Sequence, residues 1–392
     1  MKKSTFLALL ITLFFSACSN DNDEAQVTTL KVQINLPDNY SWADKENFAV
    51  VATGTSSNVA TKATTAADGT ASLLLSDGLY HISIKGEKSH QVEGIDQTVV
   101  FQYANQNVAV NGKEQTLIAT LEAAPLSKSW VIKEIYFSGS KTPSNGNYWQ
   151  DQYIELYNNT DQVLYADGLC ISESEHTTIN PATAWTDLLP SQVAAGTIYG
   201  IPGNGTDYPV QPGQSIVLAS NGSNHTVLNP NSPVDLTKAH FEWYDEHALD
   251  VDVPEVPNLI KHYSYSLSVW ILHNRGYRSY FIFKPDTDMP AFLEKNKVET
   301  TNAAGKVVYR YAIPANVILD AVELSQHNAL NQKALPAAID AGYTYCDNAN
   351  SGLVVRRKVL RTEGNRTILQ DTNNSKEDFL PNQVPSPFVI PQ

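Results

Sequence analysis

Trp130-Val131-Ile132-Lys133-Glu134-Ile135-Tyr136-Phe137 and Asp151-Gln152-Tyr153-Ile154-Glu155-Leu156-Tyr157-Asn158-Asn159 decide the fold of this chain. In both, apolar side chains alternate with polar ones, the period of a β-strand, whose successive side chains point to opposite faces. Between them Ser138 to Asn147 is rich in Gly, Ser and Asn and reads as a loop. The same grammar extends in both directions. Upstream, Leu30–Ile34, Phe48–Ala52, Ala71–Leu75, Tyr80–Ile84, Thr98–Tyr103 and Gln115–Leu121 are short runs separated by turn residues. Ser76-Asp77-Gly78 predicts a hairpin turn, with Gly where a positive φ is cheap. These runs make a β unit the size of a sandwich, about a hundred residues. Ala123 to Ser127 reads as a linker.

Downstream, Gln162–Tyr165, Ala166–Ile171, Ser215–Ala219 and Val355-Arg356-Arg357 continue the strand pattern. Trp270 to Phe283 predicts two strands around Asn274-Arg275-Gly276. Asp288 to Lys295 predicts a short helix with an Asp cap and an early Pro. Leu335 to Gly342 predicts another, opening near Pro and closing on Gly. The expected fold is all-β: two β-sandwich domains, residues 26–123 and 128–392. The second is enlarged by insertions between Ser172 and Pro212 and between Asn221 and Val317, and carries a few short helices.

Two resemblances attach to these residues. Ala67-Asp68-Gly69-Thr70-Ala71-Ser72-Leu73 followed by Gly78-Leu79-Tyr80-His81-Ile82-Ser83-Ile84 resembles the carboxypeptidase-regulatory and transthyretin-like domains, β-sandwiches that serve as spacers or docking units. The 130–137 and 151–159 pair, with Pro212–Ala219 and the Asp371–Phe379 tail, resembles a lamin-tail-like domain, an immunoglobulin-like sandwich. The whole layout is similar to an uncharacterised family of Bacteroidota lipoproteins. That resemblance implies an architecture and a cellular address and carries no activity with it.

The N-terminus supplies the address. Met1-Lys2-Lys3-Ser4-Thr5, the apolar run Phe6 to Phe15, then Ser16-Ala17-Cys18 have the order of a lipoprotein signal, residues 1–17, cleaved before a lipid-bearing Cys18. The run is too short for a transmembrane helix. Residues 18–25 form an acidic tether, Ser19-Asn20-Asp21-Asn22-Asp23-Glu24 after the anchor. It resembles the signals that send Bacteroidota lipoproteins to the cell surface. The expectation is a protein lipid-anchored to the outer membrane through Cys18 and exposed at the surface.

The full 392 residues hold 27 Lys+Arg against 41 Asp+Glu, a formal charge of −14. Removal of Lys2 and Lys3 makes it more negative. That balance argues against nucleic-acid binding, which depends on cations neutralising phosphates. Beyond Cys18 the cysteines are Cys170 and Cys346. They admit two readings, a disulfide in an exported protein or two small buried core residues. There is no GxSxG, phosphate-binding glycine loop or dinucleotide fingerprint.

Binding candidates concentrate in the second insertion. Trp243, Tyr244 and Trp270 offer amphipathic contact area, and Arg275 and Arg278 offer guanidinium forks for an anionic ligand. Asp245, Asp250 and Asp252 are candidate calcium ligands, although the stretch lacks EF-hand spacing. His240, His247, His262 and His273 share this insertion without metal-site spacing. No cofactor is expected, with calcium the one ion the acidic stretch suggests. The reading is a non-enzymatic ligand- or partner-binding accessory of a TonB-type nutrient-uptake system, with an outer-membrane transporter or a surface ligand as partner. The alternatives are a structural or adhesive surface module and a hydrolase with a cryptic site in the second domain.

Overall fold

The computed structural model describes residues 27–391 apart from 93–94, 113, 126–128, 267, 302–303 and 328–329. Cys18 and the acidic tether lie outside the described residues. The chain divides into two compact units. One runs to Gly86 and includes Phe101–Glu122, and the other takes Glu87–Val100 and the chain from Ala123 onward.

The first eight strands are β1 (Val27–Asn35), β2 (Ala49–Gly54), β3 (Ala60–Thr64), β4 (Thr70–Ser76), β5 (Gly78–Val92), β6 (Ile95–Val110), β7 (Gln115–Thr120) and β8 (Glu122–Pro125). They form a three-stranded sheet of order β4-β1-β7 and a five-stranded sheet of order β3-β2-β5-β6-β8. β1 shows the pattern at work: Thr28, Leu30, Val32 and Ile34 are buried while their neighbours are not. The expected hairpin at Ser76-Asp77-Gly78 is corrected. β4 pairs with β1, and β5 pairs with β2, so this turn carries the chain from one sheet to the other. A hairpin and an inter-sheet corner have the same alternation. Each strand brings its own buried row, Ala71, Leu73 and Leu75 on β4 and Ile82 and Ile84 on β5, and only distant pairing partners choose between them. The first residues of the expected linker stand in a strand, β8.

The remaining strands are β9 (Trp130–Tyr136), β10 (Ser140–Lys141), β11 (Asn147–Tyr148), β12 (Tyr153–Asn158), β13 (Leu164–Tyr165), β14 (Cys170–Ser174), β15 (Gln192–Gly200), β16 (Pro209–Val210), β17 (Ser215–Ala219) and β18 (Phe241–Glu242). They continue with β19 (Ile260–Ser264), β20 (Tyr280–Phe283), β21 (Lys297–Thr301), β22 (Val307–Pro314), β23 (Ile318–Val322), β24 (Leu324–Gln326) and β25 (Thr344–Cys346). The last are β26 (Val354–Arg357), β27 (Val359–Glu363), β28 (Arg366–Leu369) and β29 (Phe379–Gln383). Helices α1 (His225–Leu228), α2 (Met289–Lys295) and α3 (Ser375–Asp378) are short.

Two large sheets face each other in the second unit. One has the order β18-β17-β12-β9-β26-β29. The other runs β21-β22-β15-β14-β20-β23, with β19 also paired to β15. Ile132, Ile154, Leu156 and Leu218 from the first share a core with Ile171, Tyr199, Ile282 and Val322 from the second. The segments expected as insertions supply most of the second sheet: β15, β19, β20, β21 and β22 all lie in them. They are framework, because a single sheet with one apolar face has nothing else to bury it against.

Two further expectations are corrected, and of the two readings of the cysteines the buried-core one holds. Trp270 to Phe283 contains one strand, β20, and Trp270–Ser279 is irregular. Side chains take over its backbone partners: Trp270 N donates to Asp245 Oδ2 at 2.6 Å, Leu272 N to Gln152 Oε1 at 2.9 Å and His273 N to Tyr280 Oη at 2.9 Å. Leu335 to Gly342 makes a single turn, closed by Asp340 N on Pro336 O at 2.9 Å. The Asp340 carboxylate then accepts from the backbone N–H groups of Glu323, Gly342 and Ser375, which bends the chain away. Cys170 and Cys346 are both free and buried, in different core clusters. The helix at 288–295 forms as α2, with the Asp288 carboxylate accepting from Ala291 N at 3.1 Å.

Candidate functional site

The structure disperses the residues singled out for binding. Trp243 and Trp270 are 1% and 3% exposed and belong to the sandwich core. Their ring centroids are 4.8 Å apart, Trp270 stacks on Tyr199 at 5.0 Å, and Trp243 Nε1 donates to Trp270 O at 3.1 Å. They are packing anchors and are corrected as contact residues. Tyr244 is half-buried beside them in sequence. Arg278 is a clamp: it donates to Ser174 O at 2.6 Å and to Glu175 O, pairs with the Glu175 carboxylate at 3.4 Å, and lies over the Tyr265 ring at 4.9 Å. Arg310 completes the clamp on Glu175 at 2.7 Å. Structural pairing consumes this guanidinium.

The acidic candidates are also committed to the protein. Asp245 accepts from Tyr199 Oη at 2.6 Å, Lys261 Nζ at 2.5 Å and Trp270 N at 2.6 Å. Asp250 accepts from Asp245 N at 2.8 Å, and Asp252 from Asn258 Nδ2 at 2.9 Å. These contacts fold the 243–258 loop onto the sandwich. Among the described residues no group of three or more His, Cys, Asp or Glu is placed to hold a metal ion. His240 is exposed at the surface, its Nδ1 accepting from Val217 N at 3.1 Å, and desolvation by the surrounding protein holds it below the usual histidine range.

Tyr148 and Thr183 each set a hydroxyl beside an imidazole. Tyr148 Oη is 2.8 Å from His225 Nδ1, whose Nε2 meets Asn221 O at 2.9 Å. Thr183 Oγ1 is 3.3 Å from His176 Nδ1. Neither histidine is oriented by a carboxylate as in a triad, and burial lowers the pKa of both.

Arg275 has a different setting. It is exposed, and its guanidinium has no hydrogen-bond or ion-pair partner among the described residues. It lines an open polar cleft of about 580 Å³ with Lys141, Gln326, His327, Asn348 and Ser351. Four separate segments build it, the ends of β10 and β24, the 273–276 turn and the 347–353 loop. The 273–276 turn is closed by Gly276 N on His273 O at 2.7 Å. Gly276 sits at φ 68°, where a Cβ would meet the Phe137 ring and Ser325 O, each at 3.1 Å, so only glycine fits the turn that presents Arg275.

The wall from Asp347 to Leu353 is stitched down. Asn350 N donates to Ser138 O at 2.9 Å and Asn350 Nδ2 to Asn147 Oδ1 at 2.8 Å. Ser138 Oγ donates to Leu353 O at 2.7 Å, and Asn382 Nδ2 donates to Asp347 Oδ2 at 2.8 Å. Tyr277 Oη donates to Gln326 Oε1, which fixes that amide. His327 adopts φ 52°, in the left-handed region that His tolerates better than most residues.

Of this site the sequence named Arg275; its companions were missed, because they are drawn from positions 141, 326–327 and 347–353. The turn-rich run Asp347-Asn348-Ala349-Asn350-Ser351-Gly352 was a further local signal.

No curated protein matches the chain. Among solved structures, a leucine-rich repeat protein from Bacteroides thetaiotaomicron shares 13% identity at a TM-score of 0.16, covering 49% of this chain and 25% of its own. A candidate adhesin from Bacteroides ovatus shares 8% identity at a TM-score of 0.22, covering 77% of this chain and 88% of its own. A DUF4876 family protein from Bacteroides thetaiotaomicron shares 24% identity at a TM-score of 0.65, covering 93% of this chain and 98% of its own. Residues 211–386 match the model of the family described as "Protein of unknown function (DUF4876)", and the chain is similar in fold, over most of its length, to that family's Bacteroides structure.

Proposed function

We propose that this protein is a lipid-anchored binding accessory on the outer face of an outer membrane, capturing a ligand at the Arg275 cleft for an uptake system. In this reading the first sandwich is a transthyretin-like spacer, and the second is a lamin-tail-like frame that holds the binding loops away from the membrane. The lipoprotein-like order ending at Cys18 and the acidic tether support the address. The observation that carries the binding role is the cleft itself. An unpaired guanidinium and an exposed ammonium stand together on loops fixed by hydrogen bonds, in a chain of strongly negative net charge. Structural arginines here, such as Arg278 and Arg357, are paired, and Arg275 is not.

Two measurements test this. Protease added to intact cells should degrade the protein, and Cys18→Ala should release it from membranes or leave it unprocessed. Resistance in intact cells with digestion after lysis would place the body in the periplasm. Cells displaying the wild-type chain or the Arg275→Glu/Lys141→Glu variant are then compared on an array of saccharides, peptides and nucleotides. The variant should lose tenfold or more of at least one signal at unchanged melting temperature. Identical array profiles would favour a structural or adhesive module.

A further inference from the structure

The cleft's chemistry identifies a ligand class, an inference that rests on the binding role proposed above. We infer that the Arg275 cleft recognises an acidic saccharide: an oxyanion, carboxylate or sulfate, carried on a hydroxyl-rich sugar.

Unused donors outnumber unused acceptors in the cleft. Arg275 offers a full guanidinium fork. Lys141 Nζ gives one hydrogen bond, to Asn145 Oδ1 at 2.9 Å, and keeps two N–H groups. Gln326 Oε1 is occupied by Tyr277, and its Nε2 has no partner among the described residues. Asn348 and the His327 ring have none either, and the Ser351 hydroxyl is unpartnered. Against these donors stands one carboxylate, Asp347, part of which already accepts from Asn382. The cleft therefore presents more unused donors than acceptors, with two positive charges to one negative. It suits a ligand with several acceptor oxygens and a negative charge, and a guanidinium fork binds a planar or tetrahedral oxyanion bidentately.

The surroundings of the oxyanion narrow the ligand further. Ala349 and Leu353 are the apolar side chains lining the cleft, and no Phe, Tyr or Trp lines it. An acidic peptide would find little surface for its apolar groups. Side-chain amides and hydroxyls donate and accept at once, as sugar hydroxyls require. The roughly 580 Å³ volume falls in the range of small-molecule sites and is modest for a macromolecular face.

The backbone of the cleft is preorganised. Asn350, Asn147 and Ser138 fix one wall, and Gly276 fixes the Arg275 turn. The ordering that binding still requires is that of the exposed Arg275 and Lys141 side chains.

Titration calorimetry of the full-length chain in detergent tests the class with four probes: trigalacturonate, a 6-sulfated galactose trimer, neutral galactotriose and triglutamate. Trigalacturonate or the sulfated trimer should bind at least tenfold tighter than galactotriose, and the stronger of the two identifies the oxyanion. Arg275→Ala should weaken that binding tenfold or more at unchanged melting temperature, with Arg275→Lys intermediate because it keeps charge without the fork. Added salt should weaken it further. Equal binding of galactotriose would remove the oxyanion anchor and overturn the class. Tighter, Arg275-dependent binding of triglutamate would also overturn the class while leaving the binding role intact. If Arg275→Ala/Lys141→Ala changes binding of none of the four probes, the site reading itself fails.

Discussion

Asp151 shows how little a residue's letter says about its setting. It opens the stretch that reads as a strand, where an aspartate ordinarily faces water. In the folded protein it is fully buried. Tyr136 Oη at 3.3 Å, Ser140 Oγ at 2.6 Å and Ser232 Oγ at 2.8 Å all donate to Oδ2, and Oδ1 has no partner among the described residues. Burial pushes the carboxyl up from 3.8 to about 6, against the pull of those hydroxyls. A raised folded pKa means that the folded state holds the proton more tightly. The stabilisation is complete below about pH 4 and is lost as pH rises through about 6. The difference is on the order of 3 kcal/mol across that window. In Asp151→Asn the loss of unfolding free energy between pH 4 and 6 should be smaller than in wild type by about that amount. Superimposable pH profiles would show that Asp151 titrates as if exposed.

Elements were more legible than sites, with informative exceptions. β9 and β12 were readable because they are short runs rich in aromatic and apolar residues with polar ones interspersed, bounded by turn-rich sequence. Their burial was not readable, because every residue of both strands is buried. The polar face of the alternation is an interior ion-pair stripe. Lys133 Nζ meets Glu155 Oε2 at 2.5 Å with both side chains at 0% exposure, and Arg356 Nε meets Glu134 Oε2 at 2.5 Å. Ser386 N, from the C-terminal segment, donates to Glu134 Oε1 at 2.8 Å. Whether a polar face is wet depends on what covers it, and here the cover comes from residues some 250 positions away.

Removing one member of such a pair leaves a charge buried without compensation, a loss of roughly 3–5 kcal/mol. Lys133→Met should therefore destabilise by that amount in urea unfolding, and Lys133→Met/Glu155→Leu should recover most of it. A single variant that loses under about 1 kcal/mol would mean that water reaches the stripe in solution. The expected strand at Trp270 failed for a related reason. Its apolar residues are buried as expected, but Asp245, Gln152 and Tyr280 supply its backbone partners in place of a neighbouring strand.

At the scale of the molecule, β1–β8 pair among themselves and β9–β29 among themselves, which predicts two folding units. Fragments 26–125 and 128–392 should each unfold cooperatively, the first keeping β8 with its sheet. A 128–392 fragment that unfolds as expected beside a 26–125 fragment lacking any cooperative transition would show that the first unit is not autonomous. The second unit also revises the idea of decoration. The long stretches between the recognisable strands were read as inserts on a finished sandwich, yet they form its second sheet and the far wall of its core. Length alone does not separate an insertion from an element whose partners are remote.

The sequence by itself determined the all-β class, most strand positions, the capped helix α2 and the burial of the apolar rows. These follow from side-chain period and local capping, which act over a few residues. Tertiary structure decided which strands pair, that Ser76-Asp77-Gly78 crosses between sheets, that Trp243 and Trp270 are core, and that Arg278 is paired while Arg275 is free. It also brought Lys141, Arg275, His327 and Asn348 into one cleft. Pairing, ionic compensation and cleft formation are contacts between residues far apart in the chain, and their energies depend on geometry and burial that no local window contains.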